Sequence, residues 1–343
     1  MAMDKSAADS YVYAKASGML ARSFVGARSE RLFSAKSLQE LWTLLFKKEI
    51  PAVPETLFAK ALEKQAADKF ISDFKSLLQN YSKPSPVLLS LLSFYDYDNL
   101  KEFAAALCLK EKKIPSYQSI APFNLIDYSK WPDLAAITCG GPLEWYNTVP
   151  ELSEQKNLDY KLDCQYTQSL WNSLRHIDSE CRSDLKNLIG DKLNMNNALW
   201  ALRLKLYYDM SREEILDNLI YSTDEKSEND PLVLSALEII DKDTDDWESW
   251  KNWKYAELLN PHEEGVVWTV DARWISNAYK HVYLERARRL FHRHPFTECP
   301  LVCWFIIKRN ELDNIRMASE SLRLNISSIQ AMQMAGISEV KNG

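Results

Sequence analysis

The side chains best placed to do chemistry fall in a few short stretches. Lys308-Arg309-Asn310-Glu311-Leu312-Asp313-Asn314-Ile315-Arg316 sets amides, acids and bases on neighbouring turns of a long apolar-periodic run, Leu301 to Leu324. A charged cluster inside an apolar helix is an environment that can perturb a catalytic acid or base. Just upstream, Cys299 and Cys303 share a helix face, and His292 and His294 precede them, which are zinc-ligand types. Two histidines two residues apart point different ways on a helix, however, and Pro295 interrupts the run, so buried cysteines without a metal are the expectation.

The other constellations weaken on inspection. Asp241-Lys242-Asp243-Thr244-Asp245-Asp246 alternates like a calcium loop, but the sixth position is Asp246 instead of glycine and the twelfth is Asn252 instead of glutamate. A solvated acidic loop follows. His262-Glu263-Glu264 lacks the second histidine of a zinc hydrolase and lies between Pro261 and Gly265, as a surface turn would. No Gly-Lys pair occurs anywhere, so a P-loop cannot be built. Arg286, Arg289 and Arg293 line one helical face; they either pair with Glu285 and its neighbours or contact an acidic partner. The sequence therefore predicts no catalytic, cofactor-binding or metal-binding residues.

The elements that position these groups are helices. Eight glycines in 343 residues are too few for the turns of a nucleotide-binding parallel sheet. The net charge of −6 gives no basic surface for nucleic acid, and six scattered cysteines fit reduced thiols. The best apolar run, Cys299 to Ile307, is half the length that spans a bilayer, which excludes direct membrane insertion by the chain. Ser37-Leu-Gln-Glu40 reads as a capping box, and Leu57 to Tyr81 as a long amphipathic helix. Ile114 to Pro150 is rich in proline and glycine and reads as irregular. Asp159 to Ile189 reads as a second amphipathic helix capped by Gly190.

A motif recurs along these helices. Tyr97-Asp98-Asn99-Leu100-Lys101 and Met195-Asn196-Asn197-Ala198-Leu199, the latter followed by Arg203 and Lys205, echo the Asn314 segment. From Asn99, Asn197 and Asn314 to the serines Ser116, Ser211 and Ser327 the distances are 17, 14 and 13 residues. Ser211 and Glu214 form a capping box inside a Met210–Ile215 staple. The echo spacings, 98 and 117, are whole domains, and the excess falls where residues 223–231 and 241–253 insert charge. Three similar units follow: 1–120, 121–224, and 225–343 with an acidic, Trp-rich insertion. The three asparagines are expected to bond within the helix packing.

At these residues the chain resembles the C-subunit family of V-type and archaeal-type (V/A-type) ATPases, whose eukaryotic counterpart is the d subunit. The anchors are Tyr11-Val12-Tyr13-Ala14, Ala35 to Leu41, Tyr97 to Lys101, and Lys308 to Arg316. Ala105 and Ala106 stand where members often carry an arginine, and the Trp-rich stretch 247–274 departs from the family pattern. The resemblance implies an all-α, funnel-like protein of three similar domains in a pseudo-threefold arrangement. It implies a non-catalytic central-stalk part that couples the central shaft to the proteolipid ring and transmits torque for ion transport. Its partners would be the shaft and ring subunits, and its place the cytoplasmic face of the membrane, peripheral through the complex. The alternatives are a soluble helical adaptor unrelated to ion pumping and, more remotely, a metalloenzyme using His292 to Cys303.

Overall fold

The computed structural model describes residues 4–263 and 265–337, and the expected all-helical class is what it shows, with no strand among the described residues. In chain order the α-helices are α1 (Lys5–Ala21), α2 (Leu38–Leu45), α3 (Glu55–Leu78), α4 (Pro86–Cys108), α5 (Leu134–Thr138), α6 (Leu152–Ser173) and α7 (Arg182–Tyr208). They continue with α8 (Arg212–Asp217), α9 (Leu234–Ile240), α10 (Trp247–Trp250), α11 (Ala272–Arg293), α12 (Cys299–Arg323) and α13 (Ser328–Met334). The three asparagines of the repeat sit on α4, α7 and α12, helices of 23, 27 and 25 residues.

These long helices end alike. Lys110, Asp209 and Asn325, just beyond them, have φ of 58, 49 and 55°, and they are the non-glycine residues with positive φ among the described residues. A left-handed residue after the last turn reverses the chain and is usually glycine. Finding other residues there three times, 11, 12 and 11 positions after the asparagine, extends the repeat into the backbone. Two of the three ends then start a short capped helix: the Ser211 hydroxyl accepts from Glu214 N–H, whose carboxylate returns to Ser211 N–H, and Ser327 accepts from Gln330 N–H. The Ser37 box is only half made. Its hydroxyl accepts from Glu40 N–H, but the Glu40 carboxylate takes Lys36 N–H at 2.8 Å.

Gly190 does not end a helix. The predicted segment Asp159 to Ile189 is broken at Leu174–Cys181, and α7 runs straight through Gly190. A Cβ there would lie 3.0 Å from the Trp171 ring, so this glycine serves the close approach of α6 and α7. What read as a cap is a packing site.

The division into 1–120, 121–224 and 225–343 is an expectation from sequence, and the apolar cores group the chain differently, by contact. The largest core joins α1, α2, α3, the N-terminal halves of α4 and α7, the end of α11, and α12. Phe70 and Phe74 of α3 meet Trp304 and Phe305 of α12 there, with ring centroids 4.9–5.9 Å apart. The C-terminal half of α4 packs instead with Ile126 to Leu162, and that of α7 with α8, α9 and the Trp-rich stretch. Trp250, Trp253 and Trp268 are buried, so the insertion has a core of its own against α7 and α11.

The three long helices begin around one carboxylate. Glu298, the residue before α12, is 1% exposed; its Oε1 accepts from Asp178 N–H at 3.0 Å, in the approach to α7, and faces Ser85 Oγ at 3.4 Å, the cap position of α4. Lys5 of α1 pairs with Asp178 and lies 3.6 Å from Glu298 Oε2, while Tyr81 donates to Asp9 at 2.8 Å alongside. Burial, reinforced by a hydrogen bond to Asp178, pushes Glu298 up to about 7. Asp178 is held below its ordinary range, chiefly by that shared bond and by Lys5.

Candidate functional site

The motif asparagines on α4 and α7 fasten the chain that leaves each helix. Asn99 Oδ1 accepts from Gln118 N–H at 3.2 Å while its Nδ2 donates to the Gln118 carbonyl at 2.9 Å and to Tyr128 Oη at 2.7 Å. Asn197 treats Ile220 in the same way: N–H to Oδ1 at 3.0 Å, Nδ2 to carbonyl at 2.7 Å, with Leu232 O also at 2.7 Å. One carboxamide thus satisfies both backbone groups of one residue, as a neighbouring strand would. Asn314 departs from this pattern. It is 2% exposed, yet its Oδ1 has no partner among the described residues, and neither does the buried Oδ1 of Asn310 one turn earlier.

The remaining motif residues divide between locks and free groups. Tyr97 is buried edge-on against Tyr166, Asp98 is exposed, and Lys101 pairs with Asp163. The acid that matters on α4 is Asp96, fully buried and accepting from Leu125 N–H and Tyr128 Oη; burial pushes it up to about 6 despite those bonds. Sequence reading passed over it, although Leu92, Asp96, Asn99 and Phe103 keep helical spacing on one buried face. On α12, Lys308 and Glu311 form a buried ion pair. Lys308 also donates to Ser23 Oγ at 2.8 Å, and Glu311 accepts from Phe24 N–H. These charges tie the end of α1 to α12. They are fully engaged within the fold.

The other sequence candidates fall into structural roles. Cys299 and Cys303 are buried with their sulfurs 3.9 Å apart, His292 bonds Tyr13 Oη at 3.0 Å, and His294 bonds Asp184 at 2.7 Å. No group of three or more metal-ligating side chains gathers among the described residues. His262 stacks on Trp247 at 5.3 Å, and Glu264 of that turn lies outside the described residues. Each candidate arginine on α11 already has a carboxylate of this chain: Arg286 with Asp191 at 2.7 Å, Arg289 with Glu285 at 3.2 Å, Arg293 with Asp184 at 3.3 Å.

A different set of cations is left without carboxylates. Lys192, Arg203, Lys280 and Arg309 have none within 4.0 Å among the described residues, and Arg316 reaches Asp313 only at 3.9 Å. Lys192 lies over Tyr279 and Tyr283, 5.7 and 5.8 Å from the ring centres, and Lys280 donates to the Ala335 carbonyl at 3.2 Å. Arg309 lies over Phe94 at 4.3 Å and donates to Tyr95 Oη at 3.3 Å. Burial lowers both lysines; Asp313 opposes this, and for Lys192 the fields of Lys280 and Arg203 add to it. These cations come from separate helices, α7, α11 and α12, so no local motif announced them.

The model of the ATP synthase (C/AC39) subunit family matches residues 12–334. The chain belongs to that family. An uncharacterized protein of Treponema pallidum (strain Nichols) is 27% identical over 332 residues, 94% of each chain. The span matched to the C/AC39 family takes in α4, α7 and α12 whole, so the asparagine motifs of all three helices lie inside it. No helix of this C/AC39 subunit, among the described residues, is long and apolar enough to cross a membrane.

Proposed function

We propose that this C/AC39 subunit is the rotor socket of a V/A-type ATPase, a non-catalytic central-stalk part that joins the central shaft to the membrane proteolipid ring and passes torque between them for ion transport. On this reading the repeats 1–120, 121–224 and 225–343 surround a pseudo-threefold axis as a funnel, on the cytoplasmic face of the membrane. The observation that carries the proposal is how the long helices are held. Their N-terminal halves share one core around Glu298, while the C-terminal halves of α4 and α7 are braced by separate cores. Helix starts tied into one core, with the ends of α4 and α7 braced separately, suit a part that receives one partner and rests on another.

The engaged polar groups support the same reading. Lys308, Glu311, Asn99 and Asn197 spend their polar atoms on the chain itself, so they transmit load instead of reacting with a substrate. A socket needs interfaces well above about 1,000 Å². Co-purification tests this: a tagged chain extracted in mild detergent should bring down shaft and proteolipid subunits together. Recovery of neither would refute the socket.

A further inference from the structure

Between α4, α6 and residues 122–125 lies a cleft of about 460 Å³, within the range of small-molecule sites. Ser90, Ser93 and Tyr97, at i, i+3 and i+7, bring one stripe of α4 to it, and Gln165, Gln168 and Ser169 bring one of α6. Charged residues make up 26% of the chain, yet none of the twelve residues lining the cleft carries a charge. The nearby carboxylates are engaged elsewhere: Asp96 accepts from Leu125 N–H and Tyr128 Oη, and Asp224 from the Gln168 amide at 3.2 Å. Tyr97 is only 4% exposed, and its hydroxyl keeps accessible surface at the cleft while bonding no group among the described residues. Burial, reinforced by the field of Asp96, pushes it up to about 12, so it stays a neutral donor and acceptor.

The lining selects the ligand by what it lacks as well as by what it has. A phosphate or carboxylate would meet no cation there, and an amine no anion. An extended peptide would need a ladder of backbone groups. Pro122 and Pro142 have no N–H, Phe123 N–H is given to the Ile120 carbonyl at 3.1 Å, and Leu125 N–H is given to Asp96, so the walls offer no such ladder. What they offer are hydroxyls and carboxamides, which donate and accept together as sugar hydroxyls do, beside the ring of Phe123. Trp145, 41% exposed, donates to Gln165 at 2.8 Å and adds a second aromatic surface next to the cleft. We propose that this cleft binds a neutral saccharide, with Tyr97 Oη bonding one of its hydroxyls and Phe123 packed on an apolar ring face. Binding here is independent of any role as a socket.

Saturation-transfer difference NMR of the full chain, titrated with maltose, trehalose and N-acetylglucosamine, tests the site. At least one of the three should bind, and its affinity should not change as NaCl rises from about 0.05 to 0.5 M. Glucose 6-phosphate and glucosamine, which carry charge, should bind at least about tenfold more weakly. Tyr97→Phe should weaken binding about tenfold and leave the urea midpoint unchanged, because the hydroxyl holds nothing else in the fold. Ser169→Trp, at an exposed position, should fill the cleft and abolish binding. Any of three results would overturn the proposal: no binding of the neutral sugars by the wild type, binding that both variants leave intact, or tighter binding of glucose 6-phosphate or of a neutral Ser/Gln-rich peptide.

Discussion

Replacing Glu298 with glutamine should make this subunit more stable at alkaline pH and leave it nearly unchanged in acid. The carboxyl is buried where α1, α4, α7 and α12 begin, and its folded-state value is about 7 against an ordinary 4.5. An acid raised in this way binds its proton more tightly in the folded chain than in the unfolded one. Stability is then greatest below pH about 4.5, declines as pH rises towards 7, and carries the full cost of the buried charge above it. At about 1.4 kcal/mol per pH unit, the interval corresponds to a cost of about 3 kcal/mol at pH 8. Asp178 shifts the other way, so its contribution is lost only as pH falls below the ordinary aspartate range, outside this window.

Glutamine keeps an oxygen to accept from Asp178 N–H and Ser85, and its amide takes the place of the protonated hydroxyl facing Asp178. It gives up the attraction to Lys5, whose side chain is half exposed and whose pairing is therefore worth little. Urea unfolding of wild type and Glu298→Gln at pH 5 and pH 8 measures the difference. A variant that gains most of about 3 kcal/mol at pH 8 and little at pH 5 agrees with the geometry. Equal shifts at both pH values, or destabilisation at pH 8, would show that Glu298 is ionised and well solvated in the fold.

Other outcomes follow from the fasteners. Asn197→Ala strands the N–H and carbonyl of Ile220 and should cost on the order of 2 kcal/mol in urea unfolding, as should Asn99→Ala, whereas Asn314→Ala, which breaks no bond among the described residues, should cost clearly less. Lys308→Met leaves the Glu311 carboxylate buried without its partner and should destabilise by about 3–5 kcal/mol; the double change Lys308→Met with Glu311→Leu should recover much of that loss in the same assay.

Much of the helical framework can be read from local pattern. Ser211 and Glu214 cap α8 as their spacing demands, and the asparagine repeat marks the three long helices. Local pattern misleads where a residue answers to a distant neighbour. Gly190 has the composition of a cap, but Trp171 on another helix decides its role. Between Asp96 and Asp98, two residues apart, only the register of the α4 core tells which is buried. The paired arginines of α11 and the cations Lys192, Arg203, Lys280 and Arg309 are alike in sequence; the difference lies in Asp191 and Asp184 on α7, which reach Arg286 and Arg293, and in Glu285, which reaches Arg289.

The largest core also sets an order of events during synthesis. Its first contributors end near Tyr95 and its central helix starts at Cys299, roughly 200 residues later. At about 5–20 residues per second, α1 and α3 emerge on the order of ten to forty seconds before the partner that covers Phe70 and Phe74. A ribosome-bound chain therefore displays an apolar surface that nothing yet translated can close. Arrest within α12 would leave a species held by the α4 and α7 side cores alone, a natural client for chaperones.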